Sequence, residues 1–467
     1  MENKVIINPI DSVGVCLTAS GDIPAGHKYA LKDIKKGEPV IKYGQIIGRA
    51  TTDIKKGEWV HTHNVKSHLD ETPVYEYKYS ANEIEKKSGG TFKGYKRAYG
   101  GVGIRNEIYI IPTVGCVNNV CMRLEKEARK HMRGSIDGIY ALPHQFGCSQ
   151  LGQDNDNIKN LLCSVALNPN ASAVLVVGLG CENNGLEPIK NYLEPFGRNI
   201  KFYNCQEVED DVEYGLEILK QFIDECADLK REEVSLDKLC IGLKCGGSDG
   251  YSGLTANPLV GRITDKLVSL GGSAVLTEVP EMFGAEQLLM NKCESEEVFV
   301  EYKNMIENFK KYYTDNGFPV YENPSPGNKK GGITTLEEKS LGCVEKAGTT
   351  KIVDVLAYGE RVKKTGVSVL NAPGNDLIAA TALAAAGCQI VLFTTGRGTP
   401  FSTFVPTMKI STNDNLAAFK NNWIDFNAFG MDEDALFNLV IKTANGEYAC
   451  KSEDIRELAF YKTGVTL

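Results

Sequence analysis

Short apolar runs ending in or near glycine recur from about residue 100 onward, and segments with helical periodicity follow them. The runs are IYIIPTVG, GIYALPH, AVLVVGLG, KLCIGLK, SAVLTEV, GVSVLNAPG and QIVLFTTG. Helical segments such as NVCMRLEKEARKHM and NDLIAATALAAAG alternate with them. Buried runs of about four to eight residues that alternate with helices are typical of βα units. The pattern therefore predicts an α/β fold with largely parallel sheets.

The first 67 residues follow a different pattern. The stretches DIKKGEPV at 33–40 and DIKKGEWV at 53–60 are near copies, and apolar alternation such as VIKYGQIIG accompanies them. We interpret them as two hairpin-like arms of a small β-domain, residues 1–67, with Lys-Lys-Gly as the turns. Residues 68–98 are polar, charged and rich in tyrosine, which is typical of a linker.

Proline, asparagine and glycine are concentrated in NGFPVYENPSPGNKKGG, near residues 316–333. Such clusters interrupt regular structure. We therefore expect the body to consist of two Rossmann-like lobes, residues 99–325 and 326–467.

Composition narrows the class of protein. A chain of 467 residues with 42% hydrophobic and 24% charged residues is a folded protein of two or three domains. The formal charge of -8, without a basic stripe, argues against nucleic-acid or membrane partners. The first residues lack a secretory signal, so we expect a cytoplasmic protein with its fourteen cysteines as thiols. We also expect a homo-oligomer.

The stretch LKCGGSDGYSGLTANPLVG, residues 243–261, places polar side chains among five glycines between a predicted strand and a predicted helix. Ligands bind at the carboxyl ends of parallel strands, where helix amino termini offer free N–H groups. Lys244, Ser248, Asp249 and Asn257 are therefore candidate site residues. A flexible surface loop is the alternative.

Four cysteines follow predicted strands in the same way: Cys116, Cys148, Cys181 and Cys245. Each could be a small buried hydrophobic residue, but together they favour a site wall. One hypothesis is an iron–sulfur cluster held by three of the four, although a compact ferredoxin-type spacing is absent.

Histidines are scarce, at six. His61 and His63 in HTHN would share one face of a strand and could hold a metal ion together, with His27 in the same β-domain. A pair of surface histidines is the alternative. His144 lies in LPHQFGC, close to a predicted strand end.

Acidic residues and one arginine complete the candidates. Glu182, Asp249 and Glu278 lie at predicted strand ends, where a carboxylate can move protons or bind a cation. Arg397 in TTGRGTP is a natural carboxylate clamp. The stretch GGVGIRN precedes a strand rather than following one, so it does not fit a dinucleotide-binding motif.

Long blocks of the chain resemble the altronate and galactarate dehydratase family over almost the whole length. The blocks are GHKYALKDIKKGEPVIKYGQIIG, HTHN, GVGIRNEIYIIPTVGCVN, FGCSQLG, VLVVGLGCENN, LKCGGSDGYSGLTANP, LTEVPEMFGAEQLLM, YENPSPGNKKGGITTLEEKSLGC, APGND, FTTGRGTP and GVTL. The resemblance implies a hydro-lyase that converts D-altronate to 2-dehydro-3-deoxy-D-gluconate in hexuronate catabolism, with Fe2+ or Mn2+. It also implies that the β-domain is of the SAF (β-clip) type.

Dehydration of such an acid requires removal of the C2 proton and loss of the C3 hydroxide, which a metal ion and a general acid assist. We expect His27, His61 and His63 at the metal, with a role as acid or base as the alternative for His27. We expect His144, Asp249, Lys244 and Glu182 as catalytic residues, and Cys148, Ser248, Asn257, Glu278 and Arg397 at the small sugar-acid substrate. The alternatives are a galactarate dehydratase, a sulfolactate sulfo-lyase, and a sugar-acid-binding regulator without catalysis.

Overall fold

The amino-terminal β-domain consists of two small antiparallel sheets. The computed structural model describes residues 4–69, 73–87 and 89–467, so residues 1–3 of the predicted β-domain and 70–72 and 88 of the predicted linker lie outside the described residues. The strands are β1 (Lys4–Val5), β2 (Val13–Cys16), β3 (Lys28–Ala30), β4 (Pro39–Lys42), β5 (Gln45–Ala50), β6 (Trp59–Val60) and β7 (Val65–Lys66). Their order is β1-β2-β3-β6 in one sheet and β4-β5-β7 in the other.

The two near copies in this domain pair with each other. Ile34 and Ile54 exchange two backbone hydrogen bonds of 2.8 Å. Lys35 Nζ lies 3.2 Å from Asp53 Oδ2, and the second copy makes the equivalent exposed ion pair. Lys-Lys-Gly forms the turn in each copy, as predicted.

The body contains the remaining strands and all the α-helices of the described chain. The strands are β8 (Thr91–Lys96), β9 (Val102–Gly103), β10 (Glu107–Pro112), β11 (Gly138–Ala141), β12 (Ala171–Gly178), β13 (Ile200–Asn204), β14 (Glu232–Ser235), β15 (Cys240–Cys245), β16 (Ser273–Leu276), β17 (Ile352–Leu356), β18 (Val367–Leu370), β19 (Ile390–Thr395), β20 (Thr407–Ser411) and β21 (Phe426–Asn427). The helices are α1 (Asn118–Ala128), α2 (Gly152–Ala166), α3 (Leu186–Leu193), α4 (Asp211–Cys226), α5 (Ala256–Ser269), α6 (Glu286–Met290), α7 (Glu296–Asp315), α8 (Pro326–Lys330), α9 (Leu336–Val344), α10 (Asp376–Ala385), α11 (Asp414–Phe419) and α12 (Glu433–Ala444).

Two parallel sheets form the centre of the body. One has the order β11-β10-β12-β13 and the other the order β17-β18-β16-β15-β19-β20-β21. Every residue of β10, β16, β18, β19 and β20 is buried. Strands that are covered on both faces read as continuous apolar runs, which explains why the sequence predicts them. The α/β fold with largely parallel sheets is confirmed.

The strand order differs from the expected lobes 99–325 and 326–467. The seven-stranded sheet takes β15 and β16 from one side of residue 325 and β17–β21 from the other. The chain moves from the smaller to the larger sheet after β13. The Pro- and Gly-rich segment near residues 316–333 therefore lies in the connection between β16 and β17 of the larger sheet, and it does not separate two lobes. That segment instead contains α8 and the loop that faces the β-domain.

Tyrosines hold much of the predicted linker against the body. Tyr75 donates a hydrogen bond of 2.6 Å to Glu286, and Tyr77 donates one of 2.7 Å to the carbonyl oxygen of Cys293. At the end of this segment β8 pairs with β9 and β14 in a three-stranded antiparallel sheet. No helix within the described ranges is long and apolar enough to span a bilayer.

A buried carboxylate joins the β-domain to the body. Glu338 in α9 lies 2.8 Å from Lys28 Nζ and 2.8 Å from Lys42 Nζ, and all three side chains are buried. Burial raises the pKa of Glu338, but the two ammonium groups outweigh it and hold the pKa at about 2. Apolar side chains of both parts, including Val40 and Leu341, also form one hydrophobic cluster.

Glu338→Gln should destabilise the protein by roughly 3 kcal/mol, because it leaves two buried ammonium groups without their counter-charge. Urea unfolding followed by circular dichroism measures the loss. Asp53→Asn, which removes an exposed ion pair, is the matched control and should change little. Equal unfolding midpoints for Glu338→Gln and the unaltered protein would contradict this account of the junction.

Candidate functional site

The carboxyl end of β15 and its glycine loop lie against the β-domain. A Cβ atom added to Gly250 would lie 1.9 Å from the carbonyl oxygen of Gly26, and one added to Gly332 would lie 2.5 Å from the same oxygen. The Gly250 N–H donates to the carbonyl of Gly331 at 2.8 Å. Three chain segments therefore meet at a contact that only glycine permits. The position predicted for residues 243–261, after a strand and before a helix, is confirmed.

His27 is fixed as a neutral imidazole at this junction. Its Nδ1 accepts a hydrogen bond from the Trp59 indole at 3.2 Å, so the ring proton is on Nε2, which lies 3.3 Å from the carbonyl oxygen of Lys330. Burial is the largest cause of its lowered pKa. Both ring nitrogens are committed, so in this arrangement His27 links the two parts and does not offer a metal a lone pair.

His61 and His63 both pack against the Trp59 ring, with ring centroids 5.7 and 5.2 Å from it. They lie in a turn rather than in the predicted strand, because the His61 N–H donates to the Asn64 side chain at 2.9 Å. His61 Nδ1 lies 3.3 Å from Thr334 Oγ1, and its Nε2 has no hydrogen-bond partner among residues 4–69, 73–87 and 89–467. Burial is the main cause that lowers the pKa of His61 to about 4, so this imidazole is neutral at pH 7.

A cleft of about 880 Å3 opens between the β-domain and the 321–336 segment. Its lining includes Thr62, Thr334, Asn323 and Lys329. Lys329 is exposed and makes no ion pair within the described ranges. The cleft therefore combines the ammonium of Lys329 with two hydroxyl groups. One belongs to Thr62, in the turn that carries His61 and His63, and the other to Thr334 in the loop before α9.

Ser248 and Arg397 lie beside the same loops. Ser248 is buried, and its hydroxyl has no hydrogen-bond partner in the described part of the chain. Its carbonyl accepts a 2.8 Å hydrogen bond from Asn328. Arg397 is exposed, and a Cβ atom on Gly247 would lie 3.4 Å from the Arg397 Cβ. Both side chains keep the hydrogen-bonding capacity that a substrate site requires.

The side chains of Asp249 and Asn257 have hydrogen-bond partners inside the body. Asp249 accepts hydrogen bonds from Thr412 at 3.0 Å and from Asn413 at 3.1 Å. Burial raises its pKa, and these hydrogen bonds partly offset the effect. Asn257 accepts a 2.6 Å hydrogen bond from Thr394. These two side chains shape the loop and do not face an open site.

Lys244 is the centre of a buried ion-pair network. Its ammonium contacts Glu278, lies 2.8 Å from Asp376 Oδ1 and donates to its neighbour's carbonyl. Burial lowers the pKa of Lys244, but the carboxylates outweigh this and hold it well above its usual value. Glu278 has φ of 73°, a strained conformation for a residue with a side chain, of a kind that concentrates at functional sites.

Cys245, Glu281 and Cys343 form a second buried cluster, with ligand atoms within 4.8 Å of one another, close enough to share a metal ion. The two sulfur atoms are 3.2 Å apart. The hydrogen bond with Cys343 and the ammonium of Lys346, 3.0 Å from the sulfur, lower the pKa of Cys245, although burial acts in the opposite direction. Lys339 lies 2.8 Å from Glu281. Ammonium groups therefore already balance the negative charge of this cluster.

His144 and Glu182 belong to the four-stranded sheet, away from the Gly26 contact. His144 Nε2 lies 2.7 Å from the carbonyl oxygen of Pro112, and its Nδ1 accepts from the N–H of Phe146 at 3.2 Å. Burial lowers its pKa to about 4. Glu182 accepts from the Thr113 hydroxyl and from two backbone N–H groups. Both side chains hold loops at the carboxyl edge of this sheet.

The four predicted cysteines divide between the two sheets. Cys116, Cys148 and Cys181 are exposed and follow strands of the four-stranded sheet. Cys245 ends a strand of the other sheet, where it is buried against Cys343. The cluster hypothesis that includes Cys245 is therefore not supported by this arrangement.

Sequence reasoning missed the charged face of α9 and the turn after it. Lys339, Cys343 and Lys346 are spaced by four and three residues, so they share one helix face, and Glu338 lies on the neighbouring face. Every residue of α9 is buried. The block LEEKSLGCVEK contains this spacing, but a segment with so many charged residues is more typical of a solvent-exposed helix.

Three sequence models match the chain and together cover most of it. They describe the altronate/galactarate dehydratase SAF domain at residues 4–68, the second domain of D-galactarate dehydratase/altronate hydrolase at 94–227, and the C-terminal domain of D-galactarate/altronate dehydratase at 236–466. The last match includes β15–β21, in agreement with the observed sheet.

Whole-length relatives support the same assignment. Altronate dehydratase of Bacillus subtilis (strain 168) is 49% identical over 98% of this chain and 95% of its own length. Altronate dehydratase of Escherichia coli (strain K12) is 47% identical over 97% and 94%. Galactarate dehydratase (L-threo-forming) of the same Escherichia coli strain is 33% identical over 86% and 80%. The chain is a member of the altronate and galactarate dehydratase family.

Proposed function

We propose that this protein is a hydro-lyase that dehydrates D-altronate to 2-dehydro-3-deoxy-D-gluconate, as a step in the breakdown of hexuronates in the cytoplasm. The observation that carries the proposal is near-half identity to two altronate dehydratases across all three matched domains. The galactarate relative shares less of its sequence. The cleft at the junction supports the proposal, because hydroxyl groups and the ammonium of Lys329 line it, as binding of a hydroxylated acid requires.

The substrate is proposed to bind in the cleft between the β-domain and the 321–336 segment. Lys329 lines this cleft and Arg397 lies beside the neighbouring glycine loop, so either cation can bind the carboxylate. Ser248 has a buried hydroxyl group without a partner in the described chain, but it lines a separate cavity of only about 10 Å3, so it is proposed to support the glycine loop and not to contact substrate in the cleft. Asn328 donates to the Ser248 backbone and so fixes the position of that loop.

His61 and His63 are proposed to hold the divalent ion that the family resemblance implies. His61 has a neutral ring whose Nε2 has no partner in the described part of the chain, and neutral imidazole is a common ligand of Fe2+. The cluster of Cys245, Glu281 and Cys343 is a less suitable place, because the cavity that reaches Cys343 measures only about 10 Å3. An ion bound beside the cleft would stabilise negative charge that develops on the substrate.

The four side chains predicted to catalyse proton transfer are proposed to position the site instead. His144, Asp249 and Glu182 have their nitrogen or oxygen atoms occupied by hydrogen bonds. The ion pairs of Lys244 keep its ammonium charged and fully buried. The C2 proton is therefore proposed to leave to a group that lines the cleft itself.

The activity is tested by incubating the full chain, reduced under anaerobic conditions with Fe2+ or Mn2+, with D-altronate, galactarate, mannonate and sulfolactate. Detection of 2-keto acid measures turnover. We expect kcat/KM to be highest for D-altronate. Turnover that is highest for galactarate or sulfolactate would overturn the substrate assignment, and binding without any turnover would identify a regulator instead.

His61→Ala should raise the Fe2+ concentration needed for half-maximal activity by at least about 10-fold, since loss of groups around a bound metal typically weakens it by that much or more. Metal binding measured by calorimetry should weaken in parallel. His131→Ala, which alters an exposed histidine of the body, is the control and should leave both quantities unchanged. An unaltered Fe2+ requirement in His61→Ala would exclude His61 as a ligand.

A further inference from the structure

The exposed thiols of the chain are all in one place. Of the fourteen cysteines, nine are buried, two are partly buried, and the three exposed ones are Cys116, Cys148 and Cys181. A free cysteine is usually buried as a small hydrophobic residue. Each of the three follows a strand of the four-stranded sheet. Exposure that is confined to the edge of one sheet indicates a chemical use for these thiols.

The three loops that carry them are adjacent and hydrogen-bonded to one another. They follow β10, β11 and β12, which are neighbours in the order β11-β10-β12. The N–H of Gly115 donates to the carbonyl of Phe146 at 2.9 Å, and the N–H of Asn184 donates to the carbonyl of Gly147 at 3.1 Å. A Cβ atom on Gly147 would lie 2.0 Å from the Thr113 carbonyl oxygen. Glycine therefore allows the loops to close around a common point.

The three thiols lie at the sheet edge where parallel sheets bind ligands, and two of them have a hydrogen-bond donor nearby. Each cysteine lies between a strand end and the amino terminus of the next helix, α1, α2 or α3, which is where ligands of parallel sheets bind. Ser149 Oγ is 3.9 Å from the Cys148 sulfur, and Gln206 Nε2 is 3.8 Å from the Cys181 sulfur. Hydrogen-bond donors around sulfur ligands tune bound clusters in this way.

An unpartnered polar side chain lies in the same loops. The Asn184 side chain is only 2% exposed, yet neither its Oδ1 nor its Nδ2 has a hydrogen-bond partner in the described chain. A buried amide left without partners costs free energy. A further polar group bound next to the thiol loops would supply the missing hydrogen-bond partner of the Asn184 amide.

We infer that Cys116, Cys148 and Cys181 together bind a four-iron iron–sulfur cluster through three thiolates, with one iron left without a protein ligand. Sulfur atoms that share one tetrahedral ion lie about 4 Å apart, but among the described residues these three sulfur atoms are not all within 4.8 Å of one another. Cluster ligands bind different irons and so are spaced more widely. Cys245 takes no part, since it is buried in the other sheet.

The test is the iron and acid-labile sulfide content of the full chain after anaerobic purification and reconstitution with Fe2+ and sulfide. We expect about four irons and four sulfides per chain, with absorbance near about 400 nm. A colourless protein without sulfide, or one that binds iron without sulfide, overturns the inference. These readouts are independent of dehydratase activity, so their failure would leave the proposed function standing.

The cysteine variants locate the cluster. Cys116→Ser, Cys148→Ser and Cys181→Ser should each lose most of the sulfide and the visible absorbance while keeping the far-ultraviolet circular dichroism. Cys205→Ser is the matched control: Cys205 follows β13, the fourth strand of the same sheet, but burial raises its pKa to about 12, and its replacement should keep the cluster. Full sulfide in the three variants, or its loss only in Cys205→Ser, would contradict the assignment.

Discussion

The structure depends on a contact between backbones that excludes side chains. Gly26 of the β-domain, Gly250 after β15 and Gly332 before α9 approach so closely that a methyl group on Gly250 would overlap the Gly26 carbonyl oxygen. This contact places the β-domain, which carries the turn at residues 61–64, against the glycine loop that follows β15. Without it, the β-domain and the 321–336 segment would not face each other, and the cleft between them would not have its present lining.

Helix α9 fixes the β-domain to the body through buried ion pairs with both parts. One of its residues, Glu338, neutralises Lys28 and Lys42 of the β-domain, while Lys339 reaches the buried Glu281 of the body. Buried charges are tolerated only when paired, so the same helix constrains both parts at once. The β-domain is consequently fixed to the body and is not an appended module.

The sequence predicted those features that local periodicity encodes. The buried strands, the Lys-Lys-Gly turns and the position of the loop after Cys245 all follow from runs and spacings. The remaining features depend on tertiary contacts. Trp59 fixes the tautomer of His27. The charges of α9 are buried because their partners lie far away in the sequence: Lys28 is 310 residues from Glu338, and Glu281 is 58 residues from Lys339. The sheet boundary was missed because the Pro-rich segment near 316–333 forms a loop at the site rather than a border between lobes.

The kinetics of Gly250→Ala test the central claim, that the junction of glycines assembles the cleft. The Gly250 backbone tolerates a side chain apart from the clash with Gly26, and Gly430→Ala, at a position with open space around it, is the control. Displacing reacting groups by about 1 Å can lower a rate by about 100-fold. The account predicts a loss of that size or more in kcat/KM for Gly250→Ala, with an intact fold and a fully active control. Unchanged turnover of Gly250→Ala would contradict it.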